Sequence, residues 1–386
     1  MKDFTKKRII ILTHVFTTVP ADDLKLFLLN HQPNKLLFIG HPLSFRPGRP
    51  GPSYEAYEKG RLIRKNQKRN IKLPNIVQYI KDVVLSMYWI AKNGRKWDLI
   101  IALDNLNAMV GLLLRFFGIV DRMIYYTIDF TPQRFSNRIM NDLYHGIDKL
   151  CVAKSDLTWN ISPRIAQGRQ QMRNMSIQKY NRQITVPVGV WLERIHVGNY
   201  TDIEPHSLVY AGGLSKHQGI QLVLESIPEI IRYFADFKFY IIGVGDYESA
   251  LKEMVVRLRI GDHVRFLGYF EKHEDVEKRL VRCGLAAAMY NEEFAQWSYY
   301  ADPSKIKSYL AAGLPVITTP LTYFAEHVTG ENCGIVIEYD KEQLASAVIR
   351  VFTDSALQQR LRKNAIRFAR SFNWNDIFTN ALQTIE

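Results

Sequence analysis

The chain has 386 residues, of which 47% are hydrophobic and 23% are charged, and this composition excludes an intrinsically disordered protein. The length exceeds that of one ordinary core and predicts two domains. The formal net charge of +13 is unevenly distributed, because 31 Lys+Arg and 14 Asp+Glu give residues 1–200 a charge of +17. The remaining 20 basic and 24 acidic residues give the second half −4. The first half is therefore expected to meet an anionic partner.

The cysteines and the apolar runs indicate the cellular compartment in which the protein is expected. Three scattered cysteines form neither a disulfide framework nor a thiolate metal site, so we expect a reducing environment. The apolar run 9–12 follows basic residues like a signal peptide, but His14 interrupts it and no small-residue cleavage site follows. Residues 108–120 are apolar but too short to span a bilayer. We expect a cytoplasmic protein, at most peripheral on the inner face of the membrane.

Short β-branched runs alternate with helical patterns in the first half, which is typical of a parallel sheet covered by helices. The predicted strands are 8–13, 35–39, 99–103, 123–128, 157–160 and 183–186. The predicted helices lie near 20–30, 74–92, 105–117, 136–147 and 162–178. Residues 41–73, with prolines at 42, 47 and 50 and a basic run, are predicted to be a long loop.

The alternation resumes in the second half. The predicted strands are 207–211, 238–242, 264–267, 285–289, 316–318 and 335–337. The predicted helices lie near 219–233, 246–258, 274–282, 304–312, 341–352, 355–370 and 374–384. We therefore predict an α/β protein with two Rossmann-like, doubly wound domains facing a cleft. The predicted parts are a first domain at 1–195, a hinge at 196–206, a second domain at 207–372, and a helix at 373–386 that packs back on the first domain.

Glycines follow two predicted strands of the second half. The first strand is followed by Gly212, Gly213 and Lys216, and the next by Gly243 and Gly245. Such turns let a backbone approach a phosphate at a helix start, and a lysine adds charge. A tight turn or close backbone packing explains the same glycines. Two such turns at the carboxyl edge of one parallel sheet favour a ligand site.

A third segment, DPSKIKSYLAAGLPVITT at 302–319, predicts a helix with Asp302 as its N-cap and Pro303 at its first position. Ser304 and Lys305 then offer a hydroxyl and a cation to a diphosphate near the helix start. A well-capped structural helix is the alternative.

Together with VRFLGYF at 264–270, these segments resemble the nucleotide-sugar domain of GT-B-fold glycosyltransferases, most closely glycosyltransferase family 4. The stretch 125–164 is similar to a bacterial glycan-assembly branch of that family. The resemblance implies transfer from a nucleotide-diphosphate sugar with retention of configuration, no obligatory metal and no cofactor. The donor-binding residues that it implies are Gly212, Gly213, Lys216, Gly243, Gly245, Phe270, Asp302, Ser304, Lys305 and Ser308.

The chain departs from the family pattern at several positions. Gly213 and Gln218 stand where the family usually has Arg and Lys, so the charge would come from Lys216 or Lys305. Ser308 stands where the family has a Glu that holds the donor ribose. A second family carboxylate corresponds to Tyr300, and its replacement could be Asp302, Glu292 or Glu293.

Candidate catalytic groups end strands of the first half. Asp104 and Asp129 each follow a predicted strand, where a carboxylate could accept the acceptor's proton or support positive charge on the sugar. A cap of the following loop is an equally good explanation. His14 is a lesser, acceptor-side candidate that is more readily structural, and His145 is expected on a surface.

Residues 59–72 are rich in Lys and Arg and lead into an apolar helix with several aromatic residues. This combination fits an anionic membrane surface or a lipid-pyrophosphate acceptor, whereas a solvated loop before a core helix is the alternative. Nucleic acid is disfavoured because the charge is confined to one half and no nucleic-acid motif accompanies it. The predicted acceptor or membrane residues are His14, Arg61, Arg64, Lys65, Lys68 and Arg69.

The sequence thus predicts a glycosyltransferase that moves a sugar from a nucleotide-diphosphate sugar to a membrane-associated glycan or lipid-linked acceptor. Two alternatives remain open. One is a GT-B-fold binding or scaffold protein with impaired catalysis, and the other is a nucleotide-sugar epimerase.

Overall fold

The structure is a computed structural model that describes residues 4–15, 20–42, 51–71, 73–180, 182–291, 293 and 296–385. The chain divides into two compact units. The first comprises Met1–Pro187 and Trp374–Glu386, and the second comprises Val188–Asn373. This division begins the second unit before the predicted hinge and assigns residues 188–206 to it.

The first unit is built on an eight-stranded sheet. Its strands are Arg8–Val15 (β1), Lys35–Pro42 (β2), Ser53–Glu58 (β3), Arg61–Gln67 (β4), Trp97–Leu103 (β5), Val120–Thr127 (β6), Leu157–Asn160 (β7) and Gln183–Thr185 (β8). Their order is β4-β3-β2-β1-β5-β6-β7-β8. In the part of the sheet β2-β1-β5-β6-β7-β8, every neighbouring pair is parallel. The two edge strands β3 and β4 pair antiparallel with their neighbours. The six strands predicted for this half are confirmed.

Five helices of the first unit follow in chain order. They are Pro20–Asn30 (α1), Asn75–Asn93 (α2), Asn105–Phe116 (α3), Arg138–Lys154 (α4) and Pro163–Arg173 (α5). The central strands β1 and β5 bury apolar side chains on both faces, as a parallel sheet covered by helices requires.

The prediction of a continuous loop over 41–73 is wrong, because β3 and β4 form a hairpin on the edge of the sheet. Tyr54 and Ala56 of β3 are buried, so the short alternation of apolar and polar residues there is that of a half-buried strand. Lys59 and Gly60 form the turn with φ angles of 48° and 78°, the left-handed geometry of a two-residue hairpin. β4 is exposed along its whole length. The part of the predicted loop at 43–50 lies outside the described residues.

The second unit is built on a six-stranded parallel sheet. Its strands are Glu204–Ala211 (β9), Lys238–Ile242 (β10), Val264–Gly268 (β11), Cys283–Ala288 (β12), Val316–Thr318 (β13) and Gly334–Val336 (β14). Their order is β11-β10-β9-β12-β13-β14, and every pair is parallel. The prediction of two parallel-sheet α/β units is confirmed.

The remaining helices complete both units. They are Ile220–Ile230 (α6), Glu248–Arg257 (α7), His273–Leu280 (α8), Gln296–Tyr300 (α9), Ser304–Ala311 (α10), Phe324–Gly330 (α11), Lys341–Thr353 (α12), Ser355–Ala369 (α13) and Trp374–Gln383 (α14). α14 groups with the first unit, where the Phe378 ring lies 5.5 Å from that of Phe27 on α1. Among the described residues, no helix is both long and apolar enough to cross a membrane.

Candidate functional site

Two glycine turns of the second unit pack directly on each other at the carboxyl edge of the sheet. An added Cβ on Gly243 would lie 1.9 Å from the Gly212 carbonyl oxygen, and one on Gly245 would lie 2.0 Å from that of Leu214. Close backbone packing therefore explains Gly243 and Gly245. Gly213 differs, because a Cβ there would meet nothing within 4 Å. The open position in this pair of turns is thus Gly213.

Lys305, in the first turn of α10, lies against the Gly212 turn. Its Cε is 3.6 Å from the position of a Gly212 Cβ, and its ammonium group donates to the Gln218 side-chain oxygen. The ammonium nitrogen is 3.3 Å from the Tyr210 hydroxyl and lies 4.8 and 5.3 Å from the ring centres of Tyr210 and Tyr290. Burial lowers the pKa of Lys305 to about 7. The sequence alone does not indicate these tyrosines, because they are distant in sequence and come together only through the strand order.

The prediction that Asp302 caps α10 is wrong. α10 begins at Ser304 without a side-chain cap, and the Asp302 carboxylate lies 2.6 Å from the Lys307 ammonium. It also accepts hydrogen bonds from the Val188 backbone N–H at 2.5 Å and the Tyr323 hydroxyl at 2.8 Å. Lys307 in turn donates to the Val188 carbonyl at 2.7 Å. The two buried charges compensate each other, which is why the carboxylate faces inward.

The other predicted donor residues lie at or near the same edge with differing availability. Ser304 and Lys216 are exposed, and Phe270 follows β11 and is partly buried. The Ser308 hydroxyl donates to the Ser304 carbonyl one turn earlier at 3.2 Å, so the helix backbone already engages it. Glu293 is exposed, whereas Glu292 lies outside the described residues.

Asp104 sits at the carboxyl end of β5 in an unusual backbone conformation. Its φ of 68° and ψ of 156° fall in a region that is essentially restricted to glycine. Its carboxylate makes no capping hydrogen bond to α3 and lies 3.6 Å from Nδ1 of His14. The alternative interpretation of Asp104 as a cap is therefore not supported by a capping hydrogen bond to α3. The strained backbone conformation costs about 1–3 kcal/mol.

Asp129, two residues beyond β6, forms an ion pair with the Arg134 guanidinium, a partner that the sequence analysis missed. Burial lowers the pKa of Arg134, but the charge and hydrogen bond of Asp129, together with Tyr144 and the charge of Asp104, outweigh that effect and raise it above the ordinary value. The two predicted catalytic carboxylates thus act on one guanidinium in the first unit. Asp129 keeps about half of its side chain exposed.

Two histidines end neighbouring strands at the same edge. His14 of β1 is opposite His41 of β2 in the parallel register, and both are buried. Nδ1 of His14 is 3.1 Å from the Asn107 amide nitrogen, which also donates to the Leu103 carbonyl at 2.7 Å. His14 is thus packed into the unit, as its structural interpretation expects. Burial lowers the pKa of His41.

The prediction that His145 lies on a surface is wrong. It is 4% exposed, its Nε2 is 3.1 Å from the Pro132 carbonyl oxygen, and burial lowers its pKa. His145, Asp148 and Val152 share the inward face of α4, which the sequence periodicity of this polar helix concealed.

The predicted basic residues form an exposed surface of the first unit. Those of β4 and of the segment after it are Arg61, Arg64, Lys65, Lys68 and Arg69. Exposed apolar side chains accompany them on β4, at Leu62 and Ile63, and recur on α2. Those of α2 follow one face of the helix at Ile76, Ile80, Val84 and Tyr88. Lys72 lies outside the described residues.

Within the described part of the chain, no group of three or more His, Cys, Asp or Glu side chains could hold a metal ion.

Comparisons with known proteins identify the class. A sucrose-phosphate synthase from Thermosynechococcus elongatus superposes with a TM-score of 0.73 at 16% identity over 98% of each chain. The structure of Anabaena HepE in complex with UDP gives 0.68 at 14% identity over 98% of this chain and 99% of that one. The fold is therefore that of GT-B glycosyltransferases, and the predicted resemblance is confirmed.

The second unit carries the family match. Residues 205–354, which lie within this unit, match the family described as "Glycosyl transferases group 1". The putative glycosyltransferase YtcC of Bacillus subtilis is 28% identical over 170 residues, which are 41% of this chain and 39% of YtcC. The chain thus matches about two fifths of the length of that relative.

Proposed function

We propose that this protein is a glycosyltransferase that transfers a sugar from a nucleotide-diphosphate donor to a membrane-associated glycan or lipid-linked acceptor, with retention of configuration. The observation that carries the proposal is the ammonium group of Lys305 against the Gly212 turn, at the carboxyl edge where parallel sheets bind ligands. The group 1 match of the same unit and the UDP bound to HepE support a nucleotide donor. Retention rests on the resemblance to family 4.

On the donor side, the second unit has to stabilise a leaving diphosphate. The bond between the anomeric carbon and the phosphate oxygen breaks, and its electron pair stays on the diphosphate. No carboxylate of the described residues forms an ion pair with Lys305, whose ammonium group contacts Tyr210 and Gln218, so its charge is available for that anion. The open backbone at Gly213 allows close approach.

On the acceptor side, a carboxylate of the first unit has to assist the incoming hydroxyl. As retention requires, the acceptor oxygen forms its bond to the anomeric carbon on the face from which the diphosphate leaves, and it loses a proton, which we assign to Asp104 or Asp129. Asp104 is the better base, because Arg134 already holds the Asp129 carboxylate. Asp129 and Arg134 then act together as a polar contact for the sugar or the acceptor.

A transfer assay tests this proposal. The full chain is incubated with UDP-, GDP- and ADP-sugars and a bacterial membrane extract, and mass spectrometry follows the sugar into the lipid fraction. We expect one donor to be consumed only when acceptor is present, and Asp104→Asn to lower the rate about 10²-fold or more. Glu193→Gln, an exposed carboxylate of the second unit, is the matched control.

A binding or scaffold protein is the second candidate. Its support is that Gly213 and Gln218 replace the usual cations and that the Ser308 hydroxyl bonds to its own helix. Tight donor binding without turnover for any acceptor extract would favour this candidate and contradict transfer. Altered donor released without acceptor would instead favour an epimerase.

We further propose that the first unit docks on the inner face of an anionic membrane through β4 and α2. The proposal rests on exposed cations beside exposed apolar side chains, each cation adding about 1 kcal/mol near an anionic surface. Sedimentation with phosphatidylglycerol vesicles should fall with added salt. It should be lost when Arg61, Arg64 and Lys65 are changed to Gln, but not when Arg122 and Lys179, which are exposed outside β4 and α2, are changed to Gln. Salt-independent sedimentation, or none, would contradict this docking.

A further inference from the structure

α4 carries a line of exposed apolar side chains that its packing in the first unit does not require. Ile139, Leu143 and Leu150 are 78%, 57% and 40% exposed. The opposite face of the helix already packs inward through His145, Asp148, Cys151 and Val152. Single exposed apolar residues are ordinary, but a continuous line along one helix face is typical of a docking surface.

The spacing of this line is that of a helix–helix seam. Gly146 and Ala153 are exposed and complete it, so that seam residues recur at intervals of four, three, four and three. This is the alternation with which two helices pack side by side. We call these five residues the α4 seam: Ile139, Leu143, Gly146, Leu150 and Ala153.

The spacing of the residues in the α4 seam is nearly symmetric about Gly146. Residues lie seven and three positions before it, and four and seven positions after it. An antiparallel copy of the helix therefore sets Leu143 beside Leu150 of the partner subunit. A Cβ on Gly146 would meet nothing within 4 Å, so two helices can approach closely where the glycines cross.

The charges beside the seam fit a second copy of the chain. At about 100° per residue, Asp142 and Lys149 project on the same side of the seam. In an antiparallel pair related by a twofold axis, Asp142 of each chain comes next to Lys149 of the partner subunit, at nearly the same height. Asp142 is 58% exposed despite lying 3.8 and 3.7 Å from Arg138 and Arg173 of its own chain.

We propose that the α4 seam is a homodimer interface, in which two copies of α4 pack antiparallel across a twofold axis through Gly146. Isologous contacts of this kind are self-complementary, so a single surface serves both chains. The interface is independent of the proposed catalytic function.

Sedimentation velocity of the full chain, over a range of concentrations, tests the interface. We expect wild type to approach twice the mass of the chain as its concentration rises, and Leu143→Glu to remain a monomer with an unchanged circular dichroism spectrum. Ile80→Glu on α2 is the matched control, because Ile80 is exposed to a similar degree outside the seam. It should dimerise like wild type.

A charge exchange tests the antiparallel geometry. Asp142→Lys should raise the dissociation constant of the dimer at least about tenfold, and the double variant Asp142→Lys/Lys149→Asp should restore it. A wild type that stays monomeric at every concentration would overturn the proposal, as would a dimer that tolerates Leu143→Glu. Loss of vesicle binding by Leu143→Glu without any dimer would assign the seam to lipid instead.

Discussion

Single residues carry the candidate chemistry, and Lys305 is the clearest of them. Lys305 is buried against Tyr210, Tyr290 and the Gln218 amide, and within the described part of the chain it gains hydrogen bonds but no opposite charge. Its pKa therefore falls to about 7, and a bound diphosphate would supply the missing charge. The sequence predicted the lysine at this helix start, because a cation near a helix N-terminus is visible in the chain order. It could not predict the tyrosines, which come from two other segments.

The pH dependence of nucleotide binding follows from this pKa. The free protein loses the Lys305 proton above about pH 7, whereas a bound diphosphate retains it, so affinity for nucleoside diphosphates should fall as pH rises. Calorimetric titration with UDP, GDP and ADP should show proton uptake on binding and a loss of up to about tenfold per pH unit above 7. Lys305→Arg, which stays charged, should flatten the profile. Equal slopes for both proteins would contradict a phosphate contact.

Replacing Asp104 with glycine should raise the stability of the protein and abolish its transfer activity. Asp104→Gly removes a strained conformation that costs about 1–3 kcal/mol but adds glycine's unfolded-state entropy of about 0.5–1 kcal/mol, so urea denaturation should show a gain of about 1 kcal/mol. Transfer should be lost with the carboxylate. Asp104→Asn, which keeps the strain, should lose transfer without that gain. A less stable glycine variant would show that the side chain holds β5 and α3 together.

At the scale of elements, the parallel strands were predictable because each is a short apolar run between helical patterns. The hairpin β3–β4 was not, because β3 alternates over only six residues and β4 is exposed along its whole length without a regular apolar alternation. The start of α10 was misjudged for another reason. Asp is a residue type that often caps a helix, but Asp302 forms a buried ion pair with Lys307 instead. Only the folded structure shows that the ion pair replaces the capping hydrogen bond.

A buried polar network links several elements of the first unit. All five N–H groups of Arg169 are used: two meet the Asp148 carboxylate at 2.7 and 2.8 Å, and three meet Thr127, Asn160 and Gln183. Arg169→Lys cannot reproduce this fork and should lower the free energy of unfolding by about 3–5 kcal/mol. The exposed Arg122→Lys is the control and should change it by less than about 0.5 kcal/mol. Urea denaturation measures both, and equal losses would contradict this assignment.

At the scale of the whole molecule, the uneven charge has a structural counterpart. The basic half of the sequence lies mainly in the first unit, which also carries the exposed apolar faces of β4, α2 and α4. The acidic half lies mainly in the second unit, so the proposed anionic donor would have to rely on local groups there rather than on net charge. The sequence could predict this division, because charge is additive along the chain. It could not predict the α4 seam, because which face of a polar helix is buried depends on the packing.

The central claim is that the second unit binds a nucleotide-diphosphate sugar at the Gly212 turn and Lys305. The most direct test is the thermal unfolding of wild type and Lys305→Ala against a panel of UDP-, GDP- and ADP-sugars, since a ligand bound to the native state raises Tm. We predict that at least one nucleotide sugar raises the Tm of wild type, that Lys305→Ala loses most of this rise, and that the exposed-lysine variant Lys252→Ala keeps it. The claim is contradicted if no member of the panel raises Tm, or if Lys305→Ala responds as wild type does.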